Sequence, residues 1–312
     1  MKIGLDVMGG DYAPQPMVVG AILAYSQLPP DVQVVLVGDK KVIWELCSRH
    51  NFDASVFQIE HASQVIEMGD HPAKAFVHKP DSSIAVGYRL LSEGRIDCFA
   101  SAGSTGAMMV GAMQTVKAIP GITRPCLAGY IPKPDGSFGV LVDVGLNADC
   151  KPEVLCQYAI LGSLFAESMF NIVKPRVGLL NIGTEAEKGN LLTKAAYQIM
   201  QENGNFHFVG NVEGNHIFSN EVDVTVCDGF VGNVVLKEAE GIYHVMRQRG
   251  ISDPYFERFN YENYGGMPVL GIGANVIVGH GISNEIAIKN MILQSMAFVN
   301  ASLPSKIMSV FQ

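Results

Sequence analysis

The sequence predicts an α/β protein with a mostly parallel sheet and helices on both faces. Two observations support this class. Short apolar runs alternate along the chain with longer segments of helical period, which is the order that βαβ units produce. Several of the apolar runs also lack polar residues at alternate positions, as expected for strands buried on both faces.

Seven apolar runs are predicted as strands: residues 3–7, 32–37, 98–100, 140–144, 177–180, 207–209 and 222–226. Eight segments of helical period follow or separate them: residues 15–27, 40–50, 80–93, 105–118, 151–170, 187–203, 231–249 and 284–302. The 312 residues contain no low-complexity linker and no fixed repeat. The sequence therefore predicts one catalytic α/β unit over residues 1–312, either undivided or formed of two lobes around a cleft.

Composition restricts the possible functions. Hydrophobic residues make up 48% of the chain and charged residues 17%, below the roughly 25% of an average globular protein, which excludes a disordered chain. The net charge of −8 argues against nucleic-acid binding. The N-terminus has no signal-peptide pattern, and no apolar run is long enough to span a bilayer. We therefore expect a cytoplasmic protein.

Loops rich in Gly, Asn and Asp follow the predicted strands, at residues 8–11, 38–39, 101–106, 145–149, 181–184, 210–214 and 228–233. In an open α/β sheet, ligands bind beyond the carboxyl ends of the strands. Each of these loops is also expected to lead into a helix, whose free amides favour an anion. The sequence therefore predicts an anion site on a shared rim.

The common nucleotide and hydrolase motifs are absent. There is no GxxxxGK[ST], no GxSxG and no HExxH, and the nearest approach to GxGxxG, at residues 271–276, lacks its third Gly. The six Cys residues do not form CxxC pairs. No metal ion or nicotinamide cofactor is therefore predicted.

The loop that starts at Ser101 is the best candidate for the anion site. Gly103 and Gly106 allow close backbone approach, while Ser101, Ser104 and Thr105 provide hydroxyl groups and free amides. This combination is suited to phosphate, although the same residues also occur as simple helix caps.

Blocks of sequence in a fixed order closely resemble the bacterial phosphate acyltransferases of phospholipid synthesis (PlsX-type). The blocks are residues 6–14, 101–109, 181–190, 210–214, 227–233, 264–266 and 280–281. The resemblance implies transfer of a fatty acyl group from acyl carrier protein to inorganic phosphate, giving acyl phosphate. It also implies a homodimer with an isocitrate/isopropylmalate dehydrogenase-like fold. Val7, Ser104 and Leu146 depart from the usual residues of the family.

The matched loops provide further candidates for binding phosphate or the acyl donor. They are Asp6, Gly9, Gly10, Asp11, Asn147, Asn181, Gly183 and Glu185. A carboxylate repels phosphate, so Asp6 and Asp11 are interpreted as residues that organise the loop or accept amide hydrogen bonds.

Five polar residues receive more specific hypotheses, and for three of them a purely structural alternative stays open. Lys188 is a phosphate partner or a solvated residue at a helix start. Arg124, in an extended segment before Pro125, is a candidate for a bidentate phosphate clamp. Asp228 and Asn233 orient the substrate, or Asp228 only caps a helix. His280, between two Gly residues, protonates the departing thiolate or is a turn residue.

Residues 243–264 combine aromatic side chains with Arg247, Arg249 and Arg258. Exposed, this aromatic and basic insertion would contact the acidic carrier protein or an anionic membrane surface, with a membrane glycerol-phosphate acyltransferase as a further partner. Packed against a second copy, it would be a dimer interface.

Three rival functions remain open at this point. One is a phosphate acetyl- or butyryltransferase that uses coenzyme A, which performs the same reaction on a shorter acyl group. Another is a metal- and NAD-dependent dehydrogenase with the same fold, and the last is a phosphoester-binding module without catalysis.

Overall fold

The computed structural model describes residues 1–312, and these residues form two compact units. Unit 1 contains residues 1–118, 261–268 and 272–302. Unit 2 contains residues 119–260, 269–271 and 303–312. Neither unit is a continuous stretch of sequence.

Unit 1 is built around a mostly parallel sheet. Its strands are β1 (Lys2–Asp6), β2 (Gln33–Gly38), β3 (Gln58–His61), β4 (Cys98–Ser101), β11 (Asn275–Gly279) and the first residues of β10 (Gly266–Leu270). Their order is β3-β2-β1-β4-β11-β10, and only the β10–β11 pair is antiparallel. Its helices are α1 (Gln15–Tyr25), α2 (Lys40–Arg49), α3 (Pro72–His78), α4 (Ser83–Ser92), α5 (Thr105–Thr115) and α9 (Glu285–Ala301).

The core of unit 1 follows from its uninterrupted apolar strands. Ile3 and Leu5 of β1 are fully buried, and so are Val276 and Ile277 of β11, because helices cover both faces of these strands. Helix α1 packs against α9. These strands hold the loops at their carboxyl ends on a rigid base.

Unit 2 combines a hairpin with a parallel sheet. Its strands are β5 (Cys126–Pro132), β6 (Phe138–Val142), β7 (Arg176–Asn181), β8 (His207–Glu213), β9 (Val224–Val226) and the last residues of β10. The order is β10-β5-β6-β9-β7-β8, in which β5 is antiparallel to both neighbours and the others are parallel. Its helices are α6 (Pro152–Phe170), α7 (Leu191–Glu202), α8 (Gly229–Gln248) and α10 (Leu303–Phe311).

The predicted fold class is confirmed, and the elements that the sequence failed to indicate are also clear. Strands β3, β5, β10 and β11 and helices α3 and α10 were not predicted. All three antiparallel pairings involve β5 or β10. The prediction of a loop at residues 210–214 was wrong for most of its length, because residues 210–213 belong to β8. No helix combines the length and the apolar character needed to cross a bilayer.

Candidate functional site

Several predicted site loops of unit 1 meet at one edge of its sheet. Strands β1, β2, β4 and β11 are parallel, so the residues that follow them emerge on the same side. The amide of Asp11 donates a hydrogen bond to the carbonyl of Gly281 at 2.7 Å. This bond joins the loop after β1 to the turn that carries His280.

Asp6 ties the first loop of this edge to the loop after β4. Its buried Oδ2 accepts a hydrogen bond from Ser101 Oγ at 2.6 Å, and its Oδ1 accepts one from the Met8 amide at 3.0 Å. The Ser101 hydroxyl oxygen also accepts a bond from the Gly103 amide at 2.9 Å. Burial raises the pKa of Asp6, although the bonds from Ser101, Ser83 and the backbone amides act in the opposite direction. Asp6 thus links the loop after β1 to the loop after β4.

The two loops approach each other most closely at glycines. A Cβ placed on Gly9 would lie 2.8 Å from the nitrogen and 2.9 Å from the Cα of Gly103. A Cβ on Gly103 would lie 3.2 Å from the Gly9 Cα. Gly10 has a φ of +122°, a conformation that L side chains rarely adopt. These glycines are therefore needed for packing one loop on the other.

Helix α5 starts at this junction. Ser104 is the N-cap, and its Oγ accepts a bond from the Ala107 amide at 3.4 Å, as the helix-cap interpretation expected. The amides of Thr105 and Gly106 lie in the first turn, where no carbonyl of the helix can accept from them. Pro72 covers one side, since a Cβ on Gly106 would come within 2.5 Å of its Cγ. The start of α5 retains the donors that an anion requires.

His280 is half-buried in the turn after β11. Its ring lies 5.1 Å from the ring of Tyr261, and its carbonyl accepts a bond from the Ser283 amide at 2.9 Å. The structure therefore places this residue on the same edge as Asp11 and gives its ring an aromatic neighbour.

In unit 2, Asn147 belongs to a network around Asp143, a residue that the sequence interpretation did not select. The fully buried Asp143 carboxylate accepts bonds from the amides of Leu127 at 2.9 Å, Leu146 at 3.1 Å and Asn147 at 2.7 Å. Burial raises the pKa of Asp143, opposed by these same bonds. A carboxylate directly after an apolar run, as at Asp6, was the signal that could have identified it.

Asp228 and Asn233 lie in the first turns of α8. Asp228 caps the helix by accepting a bond from the Val231 amide at 2.9 Å. The Asn233 side-chain amide donates to the Val144 carbonyl at 3.2 Å. The amide of Gly229 donates to the Asn147 carbonyl at 2.7 Å, which joins this helix start to the Asp143 network.

The segment between β7 and α7 is a compact loop that carries four candidates, Asn181, Gly183, Glu185 and Lys188. The Asn181 side-chain Nδ2 donates to Asn211 Oδ1 at 3.0 Å and to the Lys188 carbonyl at 3.1 Å. The side chains of Glu185 and Lys188 both pass close to Gly183. Lys188 itself is exposed, so its ammonium group is accessible to an anion.

Arg124 precedes β5 and lines a cavity of about 330 Å³ together with Asp149 and Lys151. Its Nη1 donates to the Asp149 carbonyl at 3.2 Å. It is exposed and has the donors required for the proposed phosphate clamp.

The basic residues of the 243–264 segment differ in their surroundings. Arg258 donates to the carbonyls of Lys133 at 2.9 Å and Ser137 at 2.6 Å, and its guanidinium lies 4.2 Å from the centre of the Phe138 ring. Arg247 pairs with Glu257 at 2.8 Å. Arg249 is exposed at the C-cap of α8. Two of the three charges are therefore held within the chain.

Lys133 is a second buried polar residue that the sequence interpretation did not select. Its Nζ donates to the Ile217 carbonyl at 2.6 Å, and burial lowers its pKa to about 8. It directly follows β5, which runs antiparallel to β6, so it lies at the edge opposite the carboxyl ends of β6 and β9. We assign Lys133 a structural role.

Comparison with known proteins identifies the family. The family described as fatty acid synthesis protein matches residues 1–249. The phosphate acyltransferase of Dictyoglomus turgidum is 39% identical, over 99% of this chain and 97% of that protein. The enzyme of the same name from Brevibacillus brevis is 40% identical, over 100% and 98%.

Solved structures with the same fold are more distant in sequence. The phosphotransacetylase of Streptococcus pyogenes has a TM-score of 0.67 at 18% identity and covers 97% of this chain and 94% of its own. A 4-hydroxythreonine-4-phosphate dehydrogenase from Klebsiella pneumoniae has a TM-score of 0.57 at 11% identity, over 96% and 98%. At these identities the likeness concerns the fold alone. The identity to curated relatives over nearly the whole chain shows that this protein belongs to the phosphate acyltransferase family.

Proposed function

We propose that this enzyme transfers a fatty acyl group from acyl carrier protein to inorganic phosphate and forms acyl phosphate for glycerophospholipid synthesis. The observation that carries the proposal is the identity of about 40% to phosphate acyltransferases over nearly the full chain. The start of α5, with free amides beside two packed glycine loops, supports phosphate binding in unit 1.

The chemistry needs no protein nucleophile. A phosphate oxygen attacks the thioester carbonyl carbon, the C–O bond forms, and the C–S bond breaks as the electron pair leaves with the sulfur. The amides of Thr105 and Gly106 and the Ser104 hydroxyl hold the phosphate, while Asp6, through Ser101, positions the loop that carries them. Such positioning lowers the barrier by making the attack effectively intramolecular.

The remaining candidates receive separate proposals. His280 is the proposed acid that protonates the departing thiolate. Lys188 and Arg124 are exposed cations of unit 2 that are proposed to attract phosphate. Asp228, Asn233, Asn147 and the 181–185 loop are proposed to orient the acyl donor.

The function is tested by measuring release of the free carrier thiol from palmitoyl carrier protein with and without phosphate, while acyl phosphate is trapped as a hydroxamate. We expect both products only when phosphate is present, and no loss of rate after exhaustive chelation. Thiol release without phosphate would indicate a hydrolase. A preference for acetyl- or butyryl-coenzyme A would favour the short-chain alternative, which the fold of the phosphotransacetylases makes the nearest rival.

We further propose a homodimer in the cytoplasm that contacts acyl carrier protein, and peripherally a membrane, through the 243–264 segment. Since Arg247 and Arg258 have partners within the chain, Arg249 is the basic residue best suited to meet an acidic carrier. The enzyme's net charge of −8 would otherwise repel such a partner.

Arg249→Glu is expected to lower kcat/KM for the acyl carrier protein substrate mainly through slower association. The defect should shrink as salt is added, because charges are screened over about 8 Å at physiological ionic strength. Arg49→Glu, a charge reversal at the end of another helix, is the control and should have little effect. A dimeric Arg249 variant with unchanged carrier kinetics at low salt would contradict carrier docking at this residue. If sedimentation shows instead that the Arg249 variant is no longer a dimer, the segment belongs to the dimer interface.

A further inference from the structure

Unit 2 contains a cavity of about 240 Å³ at the carboxyl ends of β7 and β9. Its floor is formed by Leu155 of α6, Leu179 and Leu180 of β7 and Cys227 after β9, all of which are buried. The floor therefore offers only apolar side chains and a thiol to whatever enters the cavity.

The polar residues at the mouth of the cavity already form hydrogen bonds within the chain. The Asn181 side-chain nitrogen donates to Asn211 and to a backbone carbonyl. Asn190 caps α7 by accepting from the Thr193 amide at 2.9 Å, and Asp228 caps α8. These groups therefore have few unused hydrogen-bond donors or acceptors for an amide-rich ligand such as a pantetheine arm.

The side chains that line the cavity provide no positive charge for an anion. The residues that line it include no Lys, Arg or His, and the one ionisable group at its mouth is the Asp228 carboxylate. A phosphate inside the cavity would meet a like charge, because Lys188 of the loop between β7 and α7 does not line it. The occupant that fits is neutral and apolar.

We propose that this cavity holds the alkyl chain of the acyl donor, an inference that rests on the proposed acyl transfer. The cavity opens among the loops after β7 and β9, where the ligand of a parallel sheet is expected. Its volume of about 240 Å³ is below the roughly 300–1,000 Å³ of most ligand pockets, so it holds only part of a long chain. The rest of the chain passes Val231 and the exposed Ile182 at the mouth.

Val231→Phe tests this assignment. Val231 is 37% exposed in the first turn of α8, so a phenyl ring there narrows the mouth without disturbing the core. We expect the ratio of kcat/KM for palmitoyl to butyryl carrier protein to fall at least tenfold. Val234→Phe is the matched control, because Val234 is on the same helix, is 51% exposed and does not line the cavity. Its ratio should equal that of the unmodified enzyme.

Two failures can be told apart. If the unmodified enzyme is active and both variants keep the same chain-length ratio, the cavity does not hold the alkyl chain. If the unmodified enzyme transfers no acyl group to phosphate from any donor, the proposed function fails, and the cavity is tested by binding alone. In that case the fluorescent fatty acid cis-parinaric acid is the probe. A Kd raised at least fivefold in Val231→Phe relative to Val234→Phe supports an alkyl site, whereas equal Kd values refute it.

Discussion

Gly103→Val is expected to raise the KM for phosphate at least tenfold, equivalent to about 1.4 kcal/mol of binding. A Cβ at this position would lie 3.1 Å from Ser101 Oγ and 3.2 Å from the Gly9 Cα, and the two further methyl groups of Val need more room. The loop must shift, and the amides at the start of α5 shift with it. The KM for the acyl donor should change much less.

Gly69→Val is the control, since a Cβ on Gly69 meets no atom within 4 Å. Both variants should retain the unfolding temperature of the unmodified protein to within a few degrees. If folded Gly103→Val has an unchanged phosphate KM, phosphate binds elsewhere. The exposed cations Lys188 and Arg124 would then become the leading candidates.

Asp143→Ala is expected to lower the free energy of unfolding by about 3 to 5 kcal/mol, because it leaves the buried Leu127 amide and two half-buried amides without an acceptor. The amides of Leu127, Leu146 and Asn147 all donate to this carboxylate. Urea denaturation measures the loss as a lower midpoint at unchanged slope. Asp143→Asn keeps one acceptor oxygen and should have an intermediate effect, which preserves the test if the Ala variant does not fold.

Asp135→Ala provides the comparison. Asp135 also accepts a backbone amide bond, from Ser137, but it lies in an exposed turn where water replaces the lost acceptor. Its effect should be much smaller. An equally small effect at Asp143 would mean that water or another group can enter the network, and that the loop carrying Asn147 does not depend on this carboxylate.

The sequence predicted most of the parallel strands, although not β3 or β11, because burial on both faces leaves a recognisable apolar run. The predicted strands at residues 3–7 and 177–180 are of this kind, and they correspond to β1, which ends at Asp6, and to β7. Strand β10 contains Pro268, and β3 is short and only half-buried, so neither has that pattern. Their pairing partners are fixed by tertiary structure, which local sequence does not reveal.

The positions of the site loops were predictable from the sequence, but most contacts between their residues were not. Gly9 and Gly103 were expected near a ligand, yet each leaves room for the other. Asp6 was interpreted as a residue that organises its loop, and its carboxylate accepts a hydrogen bond from Ser101 in the loop after β4. Asp143 and Asn211 were missed. Asp143 follows an apolar run, which was a usable signal, but its partner 16 residues away and the partner of Asn211 26 residues away become visible only when the chain is folded.

Because the chain passes from unit 1 to unit 2 and later returns to unit 1, not every fragment of this protein can fold when expressed alone. A fragment that ended at residue 249, where the family match ends, would lack β11 and α9. Strand β4 would lose the partner that pairs with Cys98, Phe99 and Ala100, and α1 would lose the helix that covers it. The result would be an open apolar sheet edge, which invites aggregation. The smallest part of the chain able to fold must therefore include the segment that returns after residue 260 to complete unit 1.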